Sequence, residues 1–166
     1  MPLSDLSKVY ECAVSIQLDR IKNIELILLK GHLLLEVAID NAIHAFSKNN
    51  GLNTKDLSFH KKLQGLEGLQ PDIQHDLKQA LLHLKQLNRL RNRLAHEFTF
   101  DGGSEELGRW SEAVLADFPG TKVRRHTFRT KIIQAIGALG SVIVDPKPKT
   151  DVTQGLNGHN WRKPHD

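Results

Sequence analysis

A chain of 166 residues, 39% hydrophobic and 25% charged, is sized for one domain with a real core and is too short for two comfortable ones. Its single cysteine, Cys12, excludes an internal disulfide and a four-cysteine zinc site, and the simplest compartment for it is a reducing, cytoplasmic one. The net charge of +4 fits a polyanionic partner without demanding one, and an aromatic content of only 5% favours helices packed with aliphatic residues over a β-sandwich.

In chain order, the opening "MPLSDLSKVYEC" lacks the basic segment and apolar run of a signal peptide. Residues 4–23 read as a first helix with Ser4 as N-cap. Residues 24–48 read as a strongly apolar helix, either separate from the first or continuous with it, and "NNGLNT" stops it. Its run "IELILLKGHLLLEVAI" is broken by Lys30, His32 and Glu36 and is too short and polar to span a membrane. A short amphipathic helix follows over 56–66, then a break at "GLQPD" with Pro71 at a first helical position. A long helix covers 71–97 and ends at "FDGGS", where Ser104 caps a helix over 105–117. After the turn "FPGT" a last helix runs from 124 to 144. From Asp145 onward the composition turns to Pro, Gly and polar residues. The expected architecture is an all-α bundle of four or five helices over 1–144 with a flexible tail at 145–166.

The stretch "NRLRNRLAHEF" at 88–98 concentrates the chemistry. With Leu87 set at zero on a helical wheel, Leu84, Leu90, Leu94 and Phe98 fall within roughly 60° of it, and Arg91 falls inside that stripe at roughly 40°. Asn92 and His96 share a face, with Arg89 and Lys85 beside them. From Leu77 to His96 there are five cations and no carboxylate. Lys85, Arg89 and Arg93 thus form an exposed basic ridge. Arg91 points toward the bundle or a partner subunit, where a guanidinium among leucines needs a paired, hydrogen-bonded carboxylate. On the apolar helix, Leu33, Glu36, Val37, Asp40 and His44 share a face, so Glu36 or Asp40 is the expected partner. Taken singly, each residue has a bland reading: a solvated histidine, a solvated basic face, a packing ion pair. A second basic cluster, Lys122, Arg124, Arg125, Arg129 and Lys131, opens the last helix, and it suits an external anion or a solvated face. No histidine pair has a trusted metal-ligand spacing, and His159, His165 and Trp161 lie in the tail.

The string "RNRLAH" resembles the signature of the HEPN superfamily, an arginine followed a few residues later by a histidine, often as Arg-Asn-x-x-x-His. "LLKGHLLLEVAIDNAI", "LSFHKKLQGLEGL" and "LKQLNRLRNRLAHEF" together are similar to a bacterial subgroup that includes the mannitol operon repressor group. The resemblance spans roughly residues 25–99. It implies a HEPN-like helical bundle that dimerises, and a metal-independent endoribonuclease of a toxin–antitoxin or phage-defence system. Two copies of the motif would then form a composite site at the dimer interface. On this reading Arg91, Asn92 and His96 are catalytic, Glu36 and Asp40 supporting, and Lys85, Arg89 and Arg93 RNA-binding. Neither metal nor other cofactor is expected. The partners implied are RNA, a second copy and an antitoxin or regulatory protein. The same superfamily implies an alternative, a non-catalytic regulatory or protein-interaction module like the mannitol-repressor group.

Overall fold

Between the first two apolar segments the sequence "DRIKN" interrupts the helical spacing, and Asn23 has a side chain suited to capping. In the computed structural model, which describes residues 5–47, 53–69, 75–96, 103–120 and 127–145, the chain breaks there. Asn23 adopts an extended conformation and its Oδ1 accepts the Leu26 N–H at 2.8 Å. The first two segments are therefore two helices, and the bundle holds six among the described residues rather than four or five. They are α1 (Asp5–Leu18), α2 (Ile24–Phe46), α3 (Phe59–Leu69), α4 (His75–His96), α5 (Gly103–Asp117) and α6 (Phe128–Val144). All regular structure described is helical, so the all-α bundle is the architecture.

Several ends differ from expectation by a few residues. Ser104 lies inside α5, which begins at Gly103, so it is not the residue preceding that helix. The N-terminal boundary of α6 is set by Thr127, whose hydroxyl accepts the Thr130 N–H at 3.2 Å. Ser4, Pro71, Phe98, the cations at 122, 124 and 125, and the tail from 146 on lie outside the described residues.

The centre of the bundle is shared. α6 packs against α1, α2, α4 and α5, and α2 packs against α1, α3, α4 and α6. Small residues on these two helices let their neighbours approach. A methyl group at Gly31 of α2 would overlap Ile136, and one at Gly140 of α6 would overlap the Tyr10 ring. The core between them is aliphatic, with Leu28, Leu35, Ile39, Leu84, Leu87, Ile136 and Leu139 fully buried; each such side chain stabilises the fold by about 1.5–3 kcal/mol relative to exposure. A helix as apolar as α2 belongs in the middle of a bundle, covered on most sides. Instead it buries one side and leaves Leu26, Leu29, Leu33 and Val37 exposed. No helix among the described residues is long and apolar enough to cross a membrane.

Candidate nucleic-acid interface

α4 works as a two-faced helix. Leu77, Leu81, Leu84, Leu87 and Leu90 bury one side, as the spacing predicts. The opposite flank, at the same helical repeat, carries Lys85, Asn88, Arg89, Asn92, Arg93 and His96. With His60 and Leu63 of α3 these side chains line an open groove of about 490 Å³ whose walls contain no carboxylate. His60 and His96 are both exposed there. The groove therefore offers two imidazoles, two amides and three cations to whatever enters it.

The three cations are not equivalent. Lys85 Nζ donates to Glu67 Oε2 at 3.2 Å, and Arg93 Nη1 donates to Glu106 Oε2. Arg89 is exposed and has no ion pair among the described residues. It is the cation whose full donor fork remains available to an anion. Asn88 is held from beneath. Nε2 of His32 lies 3.2 Å from Asn88 Oδ1, and the His32 ring, itself 5% exposed, packs on Phe59 with centroids 4.1 Å apart. Burial pushes the His32 imidazolium below the ordinary histidine range, against the opposing pull of the Asn88 hydrogen bond, and Arg91 adds to the lowering. A neutral His32 donating from Nε2 fixes the amide so that its NH₂ is left for the groove.

Arg91 departs from expectation. It is half-buried and does not line the groove with His96; its Nη1 donates to Asn92 Oδ1 at 3.2 Å. Within one chain, Arg91 is tied to the groove only through Asn92. Nor does it pair with Glu36 or Asp40. Those carboxylates hold Lys62 of α3 instead, with Nζ 2.8 Å from Glu36 Oε1 and 2.9 Å from Asp40 Oδ2. Lys62 is 4% exposed. Burial works against its charge, but hydrogen bonds to the two acids outweigh it and hold Lys62 above the usual lysine range. The physical reason for the exchange is proximity: α3 packs directly on the α2 face that presents positions 36 and 40, and Lys62 reaches both acids from that contact. Glu36 and Asp40 thus support α2–α3 packing rather than the motif arginine.

The second basic cluster is partly absorbed by the fold. Arg129 donates from Nε to the Ile21 carbonyl at 2.8 Å and from Nη2 to that of Asp19, and Lys131 pairs with Glu112 at 2.9 Å. A separate cavity of about 270 Å³ is lined by Asp76, Asp117 and Asp145 with Ser7 and Ser141. Asp117 is held below the usual carboxylate range by the hydrogen bond from His83, 2.6 Å away. No group of three or more metal-ligating side chains comes together among the described residues.

Sequence reasoning missed His60 and Lys62. Lys62 had a legible signal: on a helical wheel it lies within roughly 60° of Phe59 and Leu66, on the buried face of α3. His60 shares a flank with Leu63, but only the packing of α3 beside α4 sets it in the same groove as His96. Compared with known proteins, the chain matches no family model, no curated protein and no solved structure.

Proposed function

We propose that this protein is a metal-independent endoribonuclease that works in the α3–α4 groove. The observation that carries the reading is the pairing of His60 and His96 in one carboxylate-free, cation-lined groove. Cleavage of RNA by its own 2′-hydroxyl needs one group to take the proton from that hydroxyl and another to protonate the departing 5′ oxygen, and imidazole has the pKa for both at neutral pH. Arg89 is placed to neutralise the developing charge on the phosphate, and Asn88 and Asn92 to donate to its oxygens. Lys85 and Arg93 hold the RNA backbone without reading sequence. Arg91 is a positioning residue that orients Asn92. Each chain carries both histidines, so the chemistry does not require a second copy to complete the site. The biological setting follows the resemblance: a toxin–antitoxin or phage-defence system, with an antitoxin or regulatory protein as partner.

A second reading is favoured by two observations. Lys85 and Arg93 already have carboxylate partners, and Arg91 does not reach the groove beside His96. Both fit a non-catalytic module in which the groove docks a regulatory partner.

Purified protein incubated with total RNA in EDTA separates the two. The nuclease reading expects fragments ending in 2′,3′-cyclic phosphate and 5′-hydroxyl, with DNA inert for want of the 2′-hydroxyl. His96→Ala and His60→Ala should each lose on the order of 10²–10⁴ in rate, the usual share of a general acid or base. Cleavage that needs Mg²⁺, or that persists undiminished in both variants, sinks it; RNA left intact at all pH values between 5 and 8 leaves the docking module standing.

A further inference from the structure

The basic flank of α4 borders a second hollow. With Lys85 set at zero on the helical wheel, Asn88, Asn92 and His96 fall within roughly 60° of it, while Gln86 and Leu90 fall roughly 100–140° away. Arg89 and Arg93 lie between the two sets, at roughly 40° and 80°. The packing of α5 on α4 turns that second side into a groove of about 280 Å³. Gln86 and Leu90 form its α4 wall, and Glu106 and Arg109 stand on its α5 wall. Arg89 lines both this groove and the one between α3 and α4. Arg93, in the wall of the first groove, pairs across the ridge with Glu106, in the wall of the second. The two grooves are therefore neighbours that share one cation.

The second groove has the chemistry of a nucleotide seat. Its rim carries the exposed guanidiniums of Arg89 and Arg109 and the exposed amide of Gln86. Its one carboxylate, Glu106, is already matched to Arg93. Arg109 Nη1 lies 3.1 Å from Glu105 Oε1, but both side chains are largely exposed, and a pair of that kind holds weakly and yields readily to another anion. The floor is apolar, made by Leu90, Ala113 and the Trp110 ring, which is fixed by its Nε1 donating to the His83 carbonyl at 3.0 Å. A cationic rim over an apolar floor takes a phosphate together with its sugar or base, whereas an acidic peptide would use the rim alone. We propose that the α4–α5 groove is a second phosphate subsite on the RNA path: a single strand leaves the α3–α4 groove over Arg89 and sets a flanking phosphate against Arg109. The strand must be single, because the path turns over a ridge only one helix wide and a stiff duplex cannot follow it. This rests on the α3–α4 groove being an RNA site, but not on cleavage there.

Fluorescence anisotropy in EDTA with labelled 2′-O-methyl RNA, which cannot attack its own backbone, follows the path without cleavage. Two strands are compared, one of about four nucleotides to fill the first groove and one of about ten to reach both. Arg109→Ala should weaken the longer strand roughly five- to tenfold and lower its slope of log K against log salt by about one, while the shorter strand binds as it does to the parent. Gln86→Glu, which sets a carboxylate on the same rim, should show the same selective loss. Arg89→Ala should weaken both strands. Lys8→Ala on α1 removes the same charge away from both grooves and should change neither. Equal losses on the two strands overturn the second subsite and leave the first groove standing. So does a longer strand that Arg109→Ala and Gln86→Glu hold as tightly as Lys8→Ala does. A parent that binds neither strand removes both grooves as RNA sites. Polyglutamate that displaces the longer strand as well as unlabelled RNA does would assign the face to an acidic peptide and overturn the proposal. Strands bound in the expected pattern, with unmodified RNA left uncut, keep the path and remove only the nuclease reading.

Discussion

Lys62 and Arg89 stand on adjacent helices and carry the same charge, yet their surroundings are opposite. Lys62 is buried and its ammonium is held by two carboxylates within 3 Å. Arg89 stands at the mouth of a groove with no ion pair among the described residues. A cation enclosed by the fold must be satisfied by the fold, because removing it from water costs several kcal/mol unless paired. A cation on an open wall is satisfied by water and can exchange that water for a phosphate. The contrast teaches where to look for a polyanion site: not where positive charge is best organised, but where it is left without an internal partner.

The comparison can be broken most sharply at Lys62. Lys62→Ala leaves Glu36 and Asp40 facing each other without their cation, and Asp40 Oδ1 already lacks a hydrogen-bond partner among the described residues. Denaturant melts should show a loss of about 3–5 kcal/mol, the scale for breaking a buried pair. Arg91→Ala, which removes a half-buried group bonded to an exposed amide, should cost much less. Equal losses would mean that Arg91 carries structural load that its geometry does not show.

Arg89→Ala should leave the melting curve within about 0.5 kcal/mol of the parent, as for surface substitutions generally. What it should change is RNA affinity, weakening binding to all sequences alike and lowering the slope of log K against log salt by about one. Arg93→Ala should do less, since Glu106 already competes for that guanidinium. An Arg89 variant that binds RNA as the parent does would remove the groove from consideration as a polyanion site.

The smallest effect joins the two regions through His32, which lies beneath the groove and stacks on Phe59, three residues before Lys62. Its folded pKa is lowered, so below about pH 6.5 the unfolded chain takes up a proton that the native chain refuses. Stability should therefore fall as pH drops through that value toward the depressed folded pKa. His32→Gln should flatten this slope relative to the parent when melts at pH 7.5 and 5.5 are compared. A slope unchanged by the substitution would mean that His32 is protonated in the native state.

Much of this was written in the local sequence. The leucine period of α4 marked its buried side, because a helix turns by a fixed angle whatever it packs against. The same wheel placed Arg89, Asn92 and His96 on the outward flank, whereas whether the first two helices were one or two stayed open in the sequence and is decided by the Asn23 cap. Lys62 was equally legible on its wheel, but two adjacent lysines read as solvent-facing until the facing acids are known.

Partnership was not written there. Which cation Glu36 and Asp40 would hold depended on which helix packs on that face of α2, and α3 arrives there with Lys62 while Arg91 turns to Asn92. His60 and His96 are 36 positions apart and share a groove only because α3 lies along α4. The bare stripe on α2 is decided in the same way. A helix can be apolar on every side in sequence, but how much of it is covered depends on how many neighbours reach it. Local spacing is a property of one helix's geometry. Pairing and burial belong to two helices at once, and no single stretch of sequence contains both.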